Sequence, residues 1–147
     1  MLNSENIRLL RRYSLEEVGK VLSQSPNKYT FDALLPVPLH PKRQFKRGYN
    51  QSELLAKGIA NYTGTKIDTS SVKRRANNKT QTGKTRFERW DNVSSIFQIH
   101  HNNLNSYNHV AIIDDVITTG STIESLVNEI HKLYPTIKIS VVTLALA

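Results

Sequence analysis

The stretch VAIIDDVITTGST, from Val110 to Thr122, joins a β-branched run to two adjacent acids and a hydroxyl-rich segment around Gly120. The run Val110–Ile113 predicts a buried strand, because β-branched residues favour strands. Apolar residues at helical spacing predict a helix over Ser121–Tyr134. This stretch therefore predicts a strand–loop–helix unit with the acids where the strand ends.

The start of the predicted helix has the composition of a phosphate site. A helix N-terminus presents unpaired amides and a partial positive charge, and a glycine at residue 120 lets the main chain approach a ligand. Hydroxyl donors flank that glycine, at Thr118, Thr119, Ser121 and Thr122. Ser121 and Glu124 are also expected to form a capping box. Together these features predict a cradle for a phosphate dianion.

Asp114 and Asp115 would repel a phosphate, so we expect them to face a different part of the ligand. Carboxylates accept hydrogen bonds, and a vicinal diol offers two donors. A phosphate at one end and a diol at the other describe a ribose 5-phosphate. The alternative is a structural strand–turn–helix in which these acids and threonines are incidental.

Strands and helices alternate on either side of this unit. Further strands are predicted at Phe31–Val37, Thr65–Val72, Val93–Ile99 and Ile137–Leu146, and further helices at Ser14–Ser23 and Gln51–Tyr62. The alternation predicts an α/β fold with a parallel sheet flanked by helices. Residues 73–92 contain few apolar side chains and are expected to form a mobile basic loop. The 147 residues fit a single domain over 1–147, with an N-terminal helical segment at 1–30.

The net charge and the absence of cysteine limit the classes of function that the protein can have. The net charge is +8, and two clusters hold many of the basic residues, one at 42–47 and one at 73–89. Such clusters attract polyanions, although a solvated basic surface is the simpler alternative. The chain has no cysteine, which excludes disulfides and cysteine-bound metals. No apolar run is long enough for a membrane span, so a cytoplasmic protein is expected.

Residues 110–122 resemble the signature of type I phosphoribosyltransferases that binds phosphoribosyl pyrophosphate (PRPP). A second resemblance, to the ComF family of competence-linked proteins, extends over most of the chain. It rests on Pro36, Pro38, Leu39, His40, Arg47, Gly48, Tyr49, Asn50 and Gln51, and then on Gln81, Arg89, Asn92 and Phe97. ComF proteins usually begin with a four-cysteine zinc module, which this sequence lacks, so we expect a truncated or reduced member.

The resemblance implies a type I phosphoribosyltransferase-like fold with a small hood region, and it assigns roles to residues. Asp114 and Asp115 would bind the ribose, and the loop from Thr118 to Thr122 would bind the 5-phosphate. The implied pyrophosphate-binding residues are Pro38, Leu39, His40, Lys42, Arg43 and Arg47. Gln81, Arg86 and Arg89 would act from a hood loop that closes over the ligand. Mg²⁺ is expected to arrive with PRPP, bound mainly by substrate oxygens and without a protein metal cage.

Two hypotheses of function follow, and the sequence alone leaves both open. The first is a PRPP-binding, phosphoribosyltransferase-like protein that transfers a phosphoribosyl group and releases pyrophosphate. The second is a non-catalytic accessory in DNA uptake that binds single-stranded DNA or competence machinery, with a regulatory or vestigial PRPP pocket. The acceptor is not identified by the sequence, and relatives suggest a homodimer.

Overall fold

The computed structural model describes residues 7–9, 20, 24, 29–40, 45–46, 48–75, 96–100 and 104–147. The strands are β1 (Ile7–Leu9), β2 (Ala33–Pro36), β3 (Lys66–Ile67), β4 (Val72–Arg74), β5 (Phe97–Ile99), β6 (His109–Ile117) and β7 (Lys138–Leu146). The helices are α1 (Gln51–Thr63) and α2 (Ser121–Leu133). Five parallel strands form one sheet in the order β1-β7-β6-β2-β3, and β4 pairs with β5 antiparallel. The predicted α/β fold is confirmed and is consistent with a type I phosphoribosyltransferase-like fold.

The two helices cover opposite faces of the sheet, because successive strand residues point to opposite sides. Leu34, Ala111 and Ile113 form one buried cluster with Leu55, Ala56 and Ile59 of α1. Their neighbours along the same strands turn to the other side. That second cluster includes Leu35, Val110 and Ile112 with Phe97 of β5 and Ile123, Leu126 and Ile130 of α2. Continuous apolar runs in β2 and β6 are therefore required, since both of their faces are buried.

Helix α1 begins and ends at capping residues. Asn50 is the N-cap, and its side chain accepts a hydrogen bond from the amide of Ser52. Gly64 ends the helix at a φ of 69°, in the left-handed region that glycine adopts without strain. The helix predicted at Gln51–Tyr62 is confirmed, with Thr63 as one further residue.

The expected capping box at the start of α2 is wrong. Gly120 is the N-cap at a φ of 77°, and the helix has no side-chain cap. Glu124 donates its amide to the main-chain oxygen of Gly120 at 2.9 Å, so the intrahelical bonds begin there. Ser121 is consequently the first helical residue, one position too late to cap.

Two predicted strands differ clearly from the structure, and one observed strand was not predicted. The strand predicted at Val110–Ile113 continues to Ile117, because its register with β7 continues to the pair Ile117↔Leu146. The strand predicted at Thr65–Val72 is two strands, β3 and β4, separated by a turn. Strand β1, which pairs with β7 at the sheet edge, was not predicted at all.

Two predicted segments fall largely outside the described residues. The helix at Ser14–Ser23 lies outside them apart from Lys20. The predicted basic loop 73–92 begins in strand β4, and its residues from 76 onward lie outside the described part. Within the described residues, no helix has the length and apolarity needed to cross a bilayer.

Candidate functional site

The candidate site lies where the chain turns away from the sheet in two directions. From β2 the chain crosses through α1 to β3, and from β6 it crosses through α2 to β7 on the opposite side. Strands β2 and β6 are neighbours, so the gap between their carboxyl ends is a topological switch point. Open α/β sheets bind ligands in the crevice at such a point.

A cleft of about 180 Å³ opens at this switch point. Its lining comes from five parts of the chain that the fold brings together: the segment after β2, the start of α1, strand β4, the end of β6 and the start of α2. The lining residues are Val37, Pro38, Leu39, Gln51, Ser52, Arg74, Asp114, Asp115 and Thr122. Both predicted ribose-binding acids therefore face an open cleft, together with one predicted phosphate-binding residue.

Asp114 is half-buried and receives two hydrogen bonds on the same carboxylate oxygen. Ser52 Oγ donates to Asp114 Oδ1 at 3.0 Å, and the amide of Asp115 donates to it at 3.0 Å. Burial raises the pKa of the Asp114 carboxyl, donation from Ser52 opposes this, and the charge of Asp115 adds to the rise. A raised pKa beside a cleft is typical of functional carboxyls, although structural carboxyls show it too.

The loop between β6 and α2 leaves its donors facing outward. Thr118, Thr119 and Ser121 are exposed, and Thr122 is half-buried against the cleft. The hydroxyls of Thr119 and Ser121 lie 2.9 Å apart. The amides of the first turn of α2 have no intrahelical acceptor, and the N-cap Gly120 supplies no side-chain one. The amide of Ser121 donates to Thr119 Oγ1 at the long distance of 3.4 Å. An anion placed here would meet amides and hydroxyls together.

The start of α1 is fixed to the segment that follows β2. Asn50 is buried, and its Nδ2 donates to the main-chain oxygen of Val37 at 3.0 Å. Its Oδ1 accepts from the amide of Ser52 at 3.1 Å. Asn50 thus holds the segment after β2 and the start of α1, two walls of the cleft, at a fixed separation. Two residues earlier, Gly48 has a φ of 75°, in the left-handed region.

Arg74 brings a positive charge to the cleft from the antiparallel pair β4–β5. Its guanidinium lies over the ring of Phe97, 5.7 Å from the centroid, and Phe97 is fully buried. A cation–π contact with a rigid ring limits the positions that the guanidinium can reach. The side chain of the preceding residue, Lys73, is exposed and donates instead to the main-chain oxygen of Thr69 at 3.1 Å.

The structure describes some of the residues predicted to bind pyrophosphate and none of those predicted in the hood loop. Pro38 and Leu39 line the cleft, and His40, which directly follows them, is half-buried. Six other predicted residues lie outside the described residues: Lys42, Arg43, Arg47, Gln81, Arg86 and Arg89. Their roles stay predictions.

Ser52 and Arg74 are cleft residues that the sequence analysis missed. The signal for Ser52 was present, because an Asn N-cap after a βα loop places the next helical residues at the carboxyl edge of the sheet. The signal for Arg74 was weaker. Alternation along β4 puts Val72 and Arg74 on one side and Lys73 on the other, but a three-residue strand beside a basic run gives little periodicity.

Comparison with known proteins finds related sequences. The chain is 40% identical over 103 residues to "Competence protein F" of Haemophilus influenzae, a match that covers 69% of this chain and 43% of that protein. It is 32% identical over 123 residues to "DNA utilization protein YhgH" of Salmonella typhimurium, covering 84% of this chain and 53% of the relative. The Escherichia coli K12 protein of the same name is 32% identical over 65% of this chain and 41% of its own length.

The chain spans about half the length of the curated relatives it matches. No protein-family model matches the sequence, and no solved structure matches it.

Proposed function

The chain belongs to the ComF family, and from this premise we propose that its cleft binds PRPP in a protein that acts in competence or DNA utilization. The observation that carries the PRPP proposal is the placement of Asp114, Asp115 and Thr122 around one open cleft at the switch point of the sheet. The competence role rests on the names of the relatives.

The chemistry of the cleft supports a ribose 5-phosphate unit. Two adjacent carboxylates can accept from the two hydroxyls of a ribose, and both line the cleft. The uncapped first turn of α2 and the exposed hydroxyls before it suit the 5-phosphate. A phosphate without a sugar would not explain the acids, and a diol alone would not explain the uncapped helix.

Arg74 and the segment after β2 suit the pyrophosphate end of PRPP. Pro38 and Leu39 face the cleft with Arg74, whose guanidinium can grip phosphate oxygens with two hydrogen bonds. Mg²⁺ would be held mainly by PRPP oxygens, with Asp114 and Asp115 as the carboxylates nearest the ligand, and would neutralise charge on the leaving pyrophosphate.

Transfer at the anomeric carbon is the reaction that such a site would support. In that step the bond from the anomeric carbon to the pyrophosphate oxygen breaks, and a bond to an acceptor nucleophile forms. The chain would bind and orient the sugar through its carboxylates and hold the phosphates through amides, hydroxyls and Arg74. The acceptor is not assigned, and PRPP binding without transfer fits the same cleft.

Isothermal titration calorimetry with PRPP and Mg²⁺ tests the binding proposal. The double variant Asp114→Asn/Asp115→Asn keeps the side-chain shapes and should abolish measurable PRPP binding while the protein still melts cooperatively. Unchanged PRPP affinity in this variant would overturn the proposal.

A matched control neutralises two acidic side chains elsewhere in the chain. Glu124 and Glu129 lie on helix α2, and neither lines the cleft at the switch point. Glu124→Gln/Glu129→Gln should therefore bind PRPP at least as tightly as the wild type, because Glu124 lies in the first turn of α2 and its neutralisation removes a charge that repels the 5-phosphate. Equal losses in both double variants would show that the loss is not specific to the two cleft carboxylates and would count against the assigned site.

Binding of single-stranded DNA is the second candidate, favoured by the relatives named for DNA utilization and by the net charge of +8. If about six phosphates are neutralised, the log–log slope of affinity against salt should be about −4. A filter-binding titration over a range of salt measures it. Binding that does not depend on salt, or no binding at low salt, would rule this candidate out.

A further inference from the structure

We propose that Ser52 is a positioning residue that holds the Asp114 carboxylate in the orientation that accepts a ribose hydroxyl. This inference rests on the proposed PRPP site and names a residue outside the sequence signature. Ser52 comes from helix α1 and Asp114 from strand β6, 62 residues later in the chain.

Ser52 is itself held firmly. It is 4% exposed, and its amide donates to Asn50 Oδ1 at 3.1 Å. Asn50 is in turn bonded to the main-chain oxygen of Val37, so the hydroxyl of Ser52 is attached to the framework rather than to a free side chain. The main chain of Ser52 is therefore fixed, and rotation of its side chain would break the bond to Asp114, which costs free energy because the carboxylate loses a donor.

The hydroxyl of Ser52 reaches Asp114 from helix α1, whereas the second donor belongs to the same strand as Asp114. Ser52 Oγ and the amide of Asp115 both donate to Oδ1 of Asp114. Two donors on one oxygen fix the plane of the carboxylate and leave the second oxygen to accept from a ligand. Without Ser52 a single main-chain donor would remain, and the carboxylate could rotate about its bond to Cβ.

Donation from Ser52 also favours the charged form of Asp114, since it opposes the rise in the Asp114 pKa caused by burial. The other charged residues that line this cleft, among those the structure describes, are Asp115 on the same strand and Arg74 from β4. Helix α1 contributes only the neutral Gln51 and Ser52, the segment after β2 contributes only neutral residues, and α2 contributes Thr122. Removing one hydroxyl therefore changes the titration of Asp114 without altering any neighbouring charge.

The test is calorimetric titration of PRPP with Mg²⁺ into wild type and Ser52→Ala from pH 5 to pH 8. Ser52→Ala should bind roughly tenfold more weakly at neutral pH, the loss expected for one hydrogen bond to a charged group. As the pH is lowered, the PRPP affinity of Ser52→Ala should also begin to fall at a higher pH than the affinity of the wild type does. Titration of the ligand's own phosphates is common to both proteins and cancels in the comparison.

Thr63→Ala is the matched control, because it removes a hydroxyl from the other end of the same helix. Thr63 Oγ1 donates to the main-chain oxygen of Ile59 and has no contact with the cleft. This variant should lose stability without any change in the pH profile of binding. Thermal melting of all three proteins shows whether each is folded at every pH used.

The outcomes separate the two proposals. If the wild type does not bind PRPP, the proposed function fails. If the wild type binds and Ser52→Ala keeps both its affinity and its pH profile, the positioning role alone is overturned. A loss of affinity in Ser52→Ala with an unshifted profile would likewise reject the positioning role.

Discussion

The side-chain amide of Asn50 donates to the main-chain oxygen of Val37 at 3.0 Å, while the same side chain caps helix α1. One residue thus joins the loop after β2 to the helix that carries Ser52. The joint forms part of the cleft wall, so the integrity of helix α1 and the shape of the site depend on the same contacts.

Asn50→Ala should destabilise the protein by about 2 kcal/mol. The substitution removes an N-cap, which typically costs about 1 kcal/mol, and leaves a buried carbonyl without a donor. Urea denaturation followed by circular dichroism measures the change. Asn61→Ala, an exposed asparagine of the same helix, should change the free energy of unfolding by less than about 0.5 kcal/mol; equal effects would contradict the capping role.

Arg74→Gln should weaken PRPP binding roughly tenfold and leave ribose 5-phosphate binding nearly unchanged, because the guanidinium is assigned to the pyrophosphate. Calorimetry with the two ligands provides the comparison. Lys73→Gln removes the same charge from the neighbouring residue, whose side chain is exposed and bonded to Thr69. A general electrostatic role would show as similar losses in both variants and for both ligands.

Asp114→Asn should raise the melting temperature of the ligand-free protein at neutral pH. Because burial raises the pKa of Asp114, the folded state binds this proton more tightly than the unfolded state does. Stability contributed by this group is therefore lost as pH rises from the unfolded pKa through the folded one. Calorimetric melting at pH 4 and pH 7 should show the gain at pH 7 only, and a variant that is less stable than wild type at pH 7 would refute this.

Asp68→Asn should lower the stability of the folded protein at neutral pH, the opposite of the effect expected for Asp114→Asn. Burial acts to raise the pKa of Asp68, but donation from Ser71 and Ser70 outweighs it and holds the pKa below its ordinary value. The resulting stability is present above the unfolded pKa and is lost as pH falls through the folded pKa.

We expect Asp68→Asn to cost about 2 kcal/mol at pH 7, since an amide cannot accept all the donors of the turn between β3 and β4. Chemical denaturation at pH 7 and pH 3 measures it, and the difference from wild type should shrink at the lower pH. Thr69→Ala, an exposed neighbour, is the control.

The sequence predicted the sheet and the two acids of β6 because these are marked locally, although the strand continues past the acids to Ile117. Val110–Ile113 is β-branched and continuous, and the acids follow at once, so one short window contains both the strand and the site. Gly64 likewise marks its own helix end through a conformation that glycine alone adopts readily.

Contacts between distant segments could not be predicted in the same way. The bond from Ser52 to Asp114 depends on the crossing of α1 over the sheet, and the position of Arg74 depends on pairing of β4 with β5 across a long connection. The capping box at Ser121 was misassigned for a local reason: Gly120 took the N-cap position in a left-handed conformation, which the Ser–Glu spacing does not reveal.

Strand β7 lies between β1 and β6, although it follows both in the sequence. Among the residues that the structure describes, β1 therefore has no neighbour in this sheet until Lys138–Leu146 has left the ribosome. Parallel pairings of such large sequence separation form slowly, and the interval exposes strand edges to aggregation. The need for chaperones during folding should accordingly depend on how quickly β7 inserts into the sheet, more than on how the loop between β6 and α2 folds.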